Sequence, residues 1–417
     1  MDLYATAPSE KLDWNALNTV FAGFLFFAVA YPMPSQSSYG FISPLLAGFL
    51  IPFMLVNALT GRTIFYWNRY VNYMLLAFYF LILSDVACIF LFKPGQQALY
   101  LGARLVTLII FLAGLSFTPD LRNLYRIVSI YSWSVFLLSG LTVAEGLGLY
   151  KLGAETSEAR TLFGVKLPFN KAVGLDMSDG EFGLMVGPAF LFALLQFHPK
   201  CGLKRSRYRH LMLAATGLAL FISQSRSTYL GLLVAMGVAI LLLPKGRYRR
   251  LLIFGTVGGG LIGLVLNIHG MILEGMMGTG ALQENVFNRF IGILLAWKYF
   301  LGSPIVGIGH GNALQNLQGV ELVIHNQIMD QLASAGLTGI FPIIALYGVF
   351  FWVAFKLFRR ARTPELAGWA VWMLAAMSDV FVELMLYRGF YSEHLPWYFA
   401  MLGLLFGVQY GYKTVKL

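Results

Sequence analysis

Residues 336–355 read GLTGIFPIIALYGVFFWVAF, twenty positions without one charged side chain, followed at once by Lys356, Arg359, Arg360 and Arg362. A helix rises 1.5 Å per residue, so about twenty apolar residues cover the roughly 30 Å hydrocarbon layer of a bilayer. The stretch reads as a spanning helix with a basic anchor at one end. The rest of the chain repeats the pattern. Its 417 residues are 58% hydrophobic and 12% charged, with a mean hydropathy of +0.70. Water-soluble domains carry about a quarter charged residues, so a soluble globule is excluded.

The same criterion marks twelve segments, near 14–33, 40–60, 71–92, 98–117, 127–149, 180–197, 211–224, 227–243, 251–269, 336–355, 367–387 and 396–412. The expected fold class is an all-α polytopic membrane protein of about twelve transmembrane helices, with residues 1–417 forming a single integral membrane domain. Asp2, Glu10, Lys11 and Asp13 replace the positive start of a secretory signal. The first segment is therefore expected to remain as an anchor, although Ala28-Val29-Ala30 looks like a cleavage site. With both termini cytoplasmic, about 20 of the 30 lysines and arginines fall inside, the asymmetry that orients membrane proteins. The net charge of +11 then comes from short loop clusters that lack interleaved aromatic platforms, so no nucleic-acid partner is expected. Cys88 lies in an apolar segment and Cys201 in a basic loop on the opposite side, so no disulfide framework is implied.

In this orientation two outer-face connections are too long to be simple loops: 150–179, and 270–335 between the ninth and tenth spans. In the second, Val286, Phe287, Phe290, Ile293, Leu294, Trp297 and Phe300 are spaced for an amphipathic helix lying at the interface, so 270–335 reads as a folded periplasmic cap.

The residues able to do chemistry outside the lipid gather around these segments. Ser223-Gln224-Ser225-Arg226 forms the tight turn between the seventh and eighth spans. Arg289 lies on the cap helix, Gly307-Ile308-Gly309-His310-Gly311 makes a turn, and His325-Asn326 precedes Gly336-x-x-Gly339. Taken alone, Arg226 reads as a snorkelling anchor or an anion ligand, and Arg289 as a charge on an amphipathic face. His310 reads first as a solvated loop histidine and second as a sugar contact, with the flanking glycines free to adopt positive φ and approach a ligand. Asn326 reads as a helix cap. Asp85, Glu145, Asp379 and Glu383 fall within or near apolar spans, where an ionisable group is by default a functional candidate. Asp379 and Glu383 share one helical face. They are expected to pair with inward-pointing arginines, to accept hydrogen bonds from an acceptor sugar, or to form a proton path. The acids Asp176, Asp179 and Glu181 lack the dense alternation of an EF-hand, so a metal site is a minor reading.

In order and spacing, from about Arg160 to the end, these motifs resemble the bacterial O-antigen ligase and polymerase superfamily. Ser223-x-Ser225-Arg226 is similar to its serine-serine-arginine motif, Arg289…Trp297…Pro304…Gly307-x-Gly309 to its arginine-to-glycine segment, and His325-Asn326 to its histidine-asparagine signature. Met329 stands where that signature usually has leucine, and Ser334 where an acidic residue is frequent. The resemblance implies a metal-independent, inverting glycosyltransferase of the inner membrane, with its active site facing the periplasm. It would need no cofactor. Its donor would be a glycan on undecaprenyl diphosphate, and its acceptor a lipid A-core sugar for a ligase or another carrier-linked unit for a polymerase. By the same carry-over His325 is the catalytic base and Arg226 and Arg289 bind diphosphate. Arg160 is a third contact or equally a surface charge, with Ser225, Asn326, His310 and Asp379 as secondary candidates. Length, span count and the histidine motif favour the ligase. The alternative of another class is a flippase or secondary transporter, with the intramembrane acids as its support.

Overall fold

The computed structural model describes most of 50–59, 69–149 apart from 93 and 118–120, strand pairs at 161–162 and 165–166, and residue 172. It further describes 179–261 apart from 224 and 260, 281–310, and 315–386 apart from 318–319, 323 and 325. The expected spans 14–33 and 396–412, and much of 40–60 and 251–269, lie outside the described residues. The long helices are α1 (Arg69–Leu91), α2 (Pro94–Phe117), α3 (Leu121–Gly146), α4 (Asp179–Leu195), α5 (Arg209–Ser223), α6 (Arg226–Leu242), α7 (Ala281–Gly302), α8 (Gln327–Arg360) and α9 (Pro364–Leu386). Four stretches among the described residues are long and apolar enough to cross a membrane: Arg69–Leu91, Leu124–Gly146, Gln327–Arg360 and Pro364–Leu386.

The described residues are overwhelmingly helical, as expected of an all-α membrane protein. Each long connection carries a short antiparallel hairpin, Thr161–Leu162 (β1) with Val165–Lys166 (β2), and Gln315–Leu317 (β3) with Val320–Leu322 (β4). Helical periodicity does not detect such two- and three-residue strands, whose backbone groups are satisfied by each other.

Helix α9 is the centre of the bundle. In its apolar window 78% of residues are buried, against 39% for α1, and it packs on α4, α6 and α8. Trp369 and Trp372 stack on one another and on Phe192 of α4, and the Trp372 indole donates to the Pro188 carbonyl at 2.9 Å. At the far end of α9, small residues allow close approach, as is usual where lipid supplies no hydrophobic drive between helices. A Cβ added to Gly187 of α4 would lie 2.0 Å from Asp379 Oδ2, and one on Gly231 of α6 would lie 2.5 Å from Asp379 Oδ1.

The described helices sort their charges by end. The Lys356 ammonium donates to the Tyr70 hydroxyl, the Lys204 N–H donates to the Tyr125 hydroxyl at 2.6 Å, and Gly202 abuts Pro364. These contacts bring the starts of α1, α3 and α9, the end of α8 and the basic loop after α4 to one end of the bundle. Burial pushes the Cys201 thiol in that loop up to about 12, so it is inert.

The segment expected to span from 336 begins nine residues earlier, because α8 is two helices joined at a break. Gly336 sits at φ 59, ψ −150, a conformation open essentially to glycine alone. The break frees the carbonyls of Ala333 and Ser334 and the N–H groups of Leu337 and Thr338, and the turn after α7 satisfies all four. Ile308 N donates to Ala333 O at 3.0 Å and Gly309 N to Ser334 O at 2.8 Å. Leu337 N donates to Pro304 O at 2.9 Å and Thr338 N to Ile305 O at 3.1 Å. A Cβ at Gly336 would lie 2.5 Å from the Ile305 carbonyl oxygen. Gly336→Ala is therefore expected to cost about 2–4 kcal/mol, combining disallowed backbone with a clash. Thermal unfolding of the purified variant checks it, and an unchanged midpoint would contradict the packing described.

Helix α7 has the expected amphipathic form. Phe290, Leu294, Trp297 and Leu301 are exposed along one face, while Ala296 packs with Ile324 and Ala333 in a small second core shared with the start of α8.

Candidate active site

At the end of the bundle away from the basic loops lie the starts of α6 and α8 and the end of α9, and with them Ser225 and Asn326. The hairpin expected around Ser225 is present, with α5 ending at Ser223 and α6 starting at Arg226. Ser225 is the N-cap: its hydroxyl accepts from the Thr228 hydroxyl at 2.9 Å and from the Thr228 N–H at 3.5 Å, and it lies 3.2 Å from the Ser227 hydroxyl. The side-chain oxygen thereby satisfies a donor the helix cannot, and Arg226 becomes the first residue of α6.

Asn326 caps α8, as its bland reading anticipated. Its Oδ1 accepts from Met329 N at 3.0 Å, and its Nδ2 donates to the Met385 carbonyl at 2.9 Å, tying the start of α8 to the end of α9. Arg289 lies within α7. His325 and Arg160 fall outside the described residues; His325 stands between buried Ile324 and the cap. The arrangement fixes the backbone on both sides of the histidine and sets α6 and α8 with their N-termini at the same end of the bundle, where partial positive charge favours anions.

One expectation is corrected here. His310 is not solvated but fully buried: its Nε2 lies 2.9 Å from Asp85 Oδ1, and its ring stacks on Tyr100 at 4.5 Å. The glycines around it do take positive φ, 66° at Gly307 and 86° at Gly309, yet what they approach closely is the backbone of α8. A Cβ at Gly307 would be 2.4 Å from the Ser334 carbonyl carbon. Asp379 and Glu383 meet no arginine whose side chain is described. Both are fully buried, and their carboxyl oxygens have no hydrogen-bond partner among the described residues. Glu383 shares the surface of Gly183 with Thr228, and Asp379 rests on Gly187 and Gly231.

Sequence reasoning missed Arg104. It lies in α2 with 1% exposure, and its Nε reaches Asp85 Oδ2 at 3.3 Å while its Nη2 donates to Gln331 Oε1 at 3.3 Å. The available signal was a charge inside an apolar span, which in lipid needs a partner; Asp85 had been singled out on that ground without it. Arg104, Asp85, His310 and Gln331 together bind α1, α2, the turn after α7 and α8.

A bundle with four bilayer-length apolar helices and polar clusters concentrated near its helix ends is the architecture of a multi-pass membrane protein. Within it, residues 211–344 match the family described as O-antigen ligase, whose members are membrane glycosyltransferase-like enzymes of lipopolysaccharide biosynthesis. The match supports the O-antigen ligase and polymerase superfamily without separating its branches. It takes in Ser225, Arg226, Arg289, His310, His325 and Asn326, and leaves out Arg160 and Asp379. No curated protein matches the chain.

Proposed function

We propose that the chain is an O-antigen ligase, a glycosyltransferase that moves a glycan from a polyprenyl diphosphate carrier to a lipid A-core hydroxyl at the periplasmic face of the bacterial inner membrane. The observation that carries this is the family match over 211–344, which covers Ser225, Arg226, Arg289 and His325-Asn326. In the mechanism, His325 takes the proton of the acceptor hydroxyl as that oxygen attacks the anomeric carbon. The bond from that carbon to the diphosphate breaks with inversion. Arg226 and Arg289, with Arg160 as a further contact, receive the departing diphosphate, whose charge paired guanidinium donors suit without a metal. Helix N-termini at α6 and α8 add to that field.

The isoprenoid tail is assigned to the groove between α1 and α8. This groove, of about 820 Å³, is walled by Leu76, Phe80, Phe341 and Ala345 and ends against Val306 and the Ser84–Thr338 hydroxyl pair, 2.9 Å apart. It lies beside the turn that carries α7 onto α8, so a tail lodged there would bring its diphosphate toward Arg289.

The test uses purified full-length protein with one carrier-linked glycan and two acceptors, lipid A-core and a second carrier-linked repeat. Transfer to lipid A-core is the expected result; transfer only to the second repeat would make the chain a polymerase. Movement of carrier across a vesicle membrane without transfer would make it a flippase. A transporter would be expected to gather its intramembrane acids around one path, whereas here Asp85 and Asp379 occupy separate clusters, the first bound to Arg104 and His310 and the second packed on α4 and α6.

A further inference from the structure

Four cations from two separate stretches converge at the basic end of the bundle, away from Ser225 and His310. Arg122 and Arg126, one turn apart on α3, and Lys204 and Arg205, in the loop after α4, line a cavity of about 970 Å³. Glu365 is the one acid among its described lining residues. The loop is held in place from beneath: the buried Gln196 side chain accepts from Ser206 N at 2.7 Å, and Tyr125 OH accepts from Lys204 N at 2.6 Å. Four cationic side chains facing one concavity make it a place for an anion rather than a cation. Guanidinium forks match phosphate oxygens in particular.

The apolar surface leading away from the cavity distinguishes between phosphate-bearing ligands. Ile130 lines the cavity itself, and Trp133, Leu137 and Leu141 continue along the same face of α3, 37%, 51% and 39% exposed. Trp133 also stacks edge-on against Tyr208 at 5.2 Å, an aromatic pair at the level where basic end meets apolar stripe. A free phosphate would fill only the basic end, whereas a phospholipid would fill both. We propose that this cavity is a headgroup site for an anionic phospholipid whose acyl chains run along α3. The site is separate from the glycan-transfer centre and does not depend on that reading.

The test uses full-length protein in mild detergent, titrated separately with phosphatidylglycerol, phosphatidylcholine and inorganic pyrophosphate, with retained lipid read by native mass spectrometry and stability by thermal unfolding. Phosphatidylglycerol is expected to be retained and to raise the unfolding temperature, with phosphatidylcholine and pyrophosphate ineffective. Arg122→Gln with Arg126→Gln should weaken retention about thirtyfold, and Arg205→Gln alone about fivefold, the usual worth of basic residues at an anionic surface. Lys245→Gln with Arg249→Gln, outside the cavity lining, should change nothing. Equal loss in that control pair, equal retention of phosphatidylcholine, or stabilisation by pyrophosphate alone would each overturn the proposal.

Discussion

Alanine at position 325 is expected to slow glycan transfer by about a hundred- to ten-thousand-fold, the contribution of a positioned general base. A sugar hydroxyl is a poor nucleophile until its proton is accepted, and the residues on either side of position 325 are anchored. Ile324 is buried on one side, and on the other Asn326 bonds both to Met329 N and to the Met385 carbonyl. Carrier binding should survive, because the diphosphate is assigned to Arg226 and Arg289 rather than to the imidazole. Arg226→Lys separates the two roles: it keeps the charge but loses the fork, so it should weaken carrier binding while the His325 variant does not. Single-turnover transfer with radiolabelled donor, alongside equilibrium carrier binding, measures both. Wild-type turnover in His325→Ala would remove the base from the mechanism. Asn326→Ala should be milder, at about 1 kcal/mol for a lost cap.

Arg104→Leu is expected to be among the most destabilising single changes in the bundle, at about 3–5 kcal/mol. Arg104 and Asp85 are 1% and 0% exposed and meet at 3.3 Å, so losing the cation leaves the buried carboxylate with His310 as its remaining described partner and takes the Arg104 donor from Gln331 Oε1. Replacing both, Asp85→Leu with Arg104→Leu, should recover only part of the loss: apolar packing often substitutes for a buried pair, but the buried His310 and Gln331 lose the bonds they make to it. Unfolding of the two singles and the double closes the cycle. Additive effects would mean that the pair is not coupled as its geometry indicates.

The same residues show what could be read from the chain alone. Spans 71–92, 98–117, 127–149 and 367–387 correspond to α1, α2, α3 and α9, because a run of about twenty apolar residues has few other uses. The Ser225 turn and the cap at Asn326 were legible for a similar reason, as short polar side chains ahead of apolar helices have a local task. His310 was misread because glycines on both sides look like a loop in water, while the partners that bury it, Asp85 and Tyr100, are more than two hundred residues away in sequence. Arg104 was overlooked for the converse reason: its span looked apolar enough to absorb one charge, and only the fold reveals Asp85 and Gln331 beside it. The break at Gly336 was hidden because the groups that heal it belong to the turn at 304–309, and hydrogen-bond exchange between distant segments leaves no periodic trace.

That exchange has a mechanical consequence. Four main-chain hydrogen bonds stitch the turn after α7 to both sides of the Gly336 break, and the second core fastens α7 to residues 324 and 333. Helix α7 and the opening turns of α8 therefore form one stiff bracket, joined to the lipid-embedded shaft of α8 at a glycine. A load on α7 would be felt first at residues 327–335 and only then by the shaft, so a substrate gripped by the bracket would pull on the histidine segment before it could bend the membrane-embedded helices.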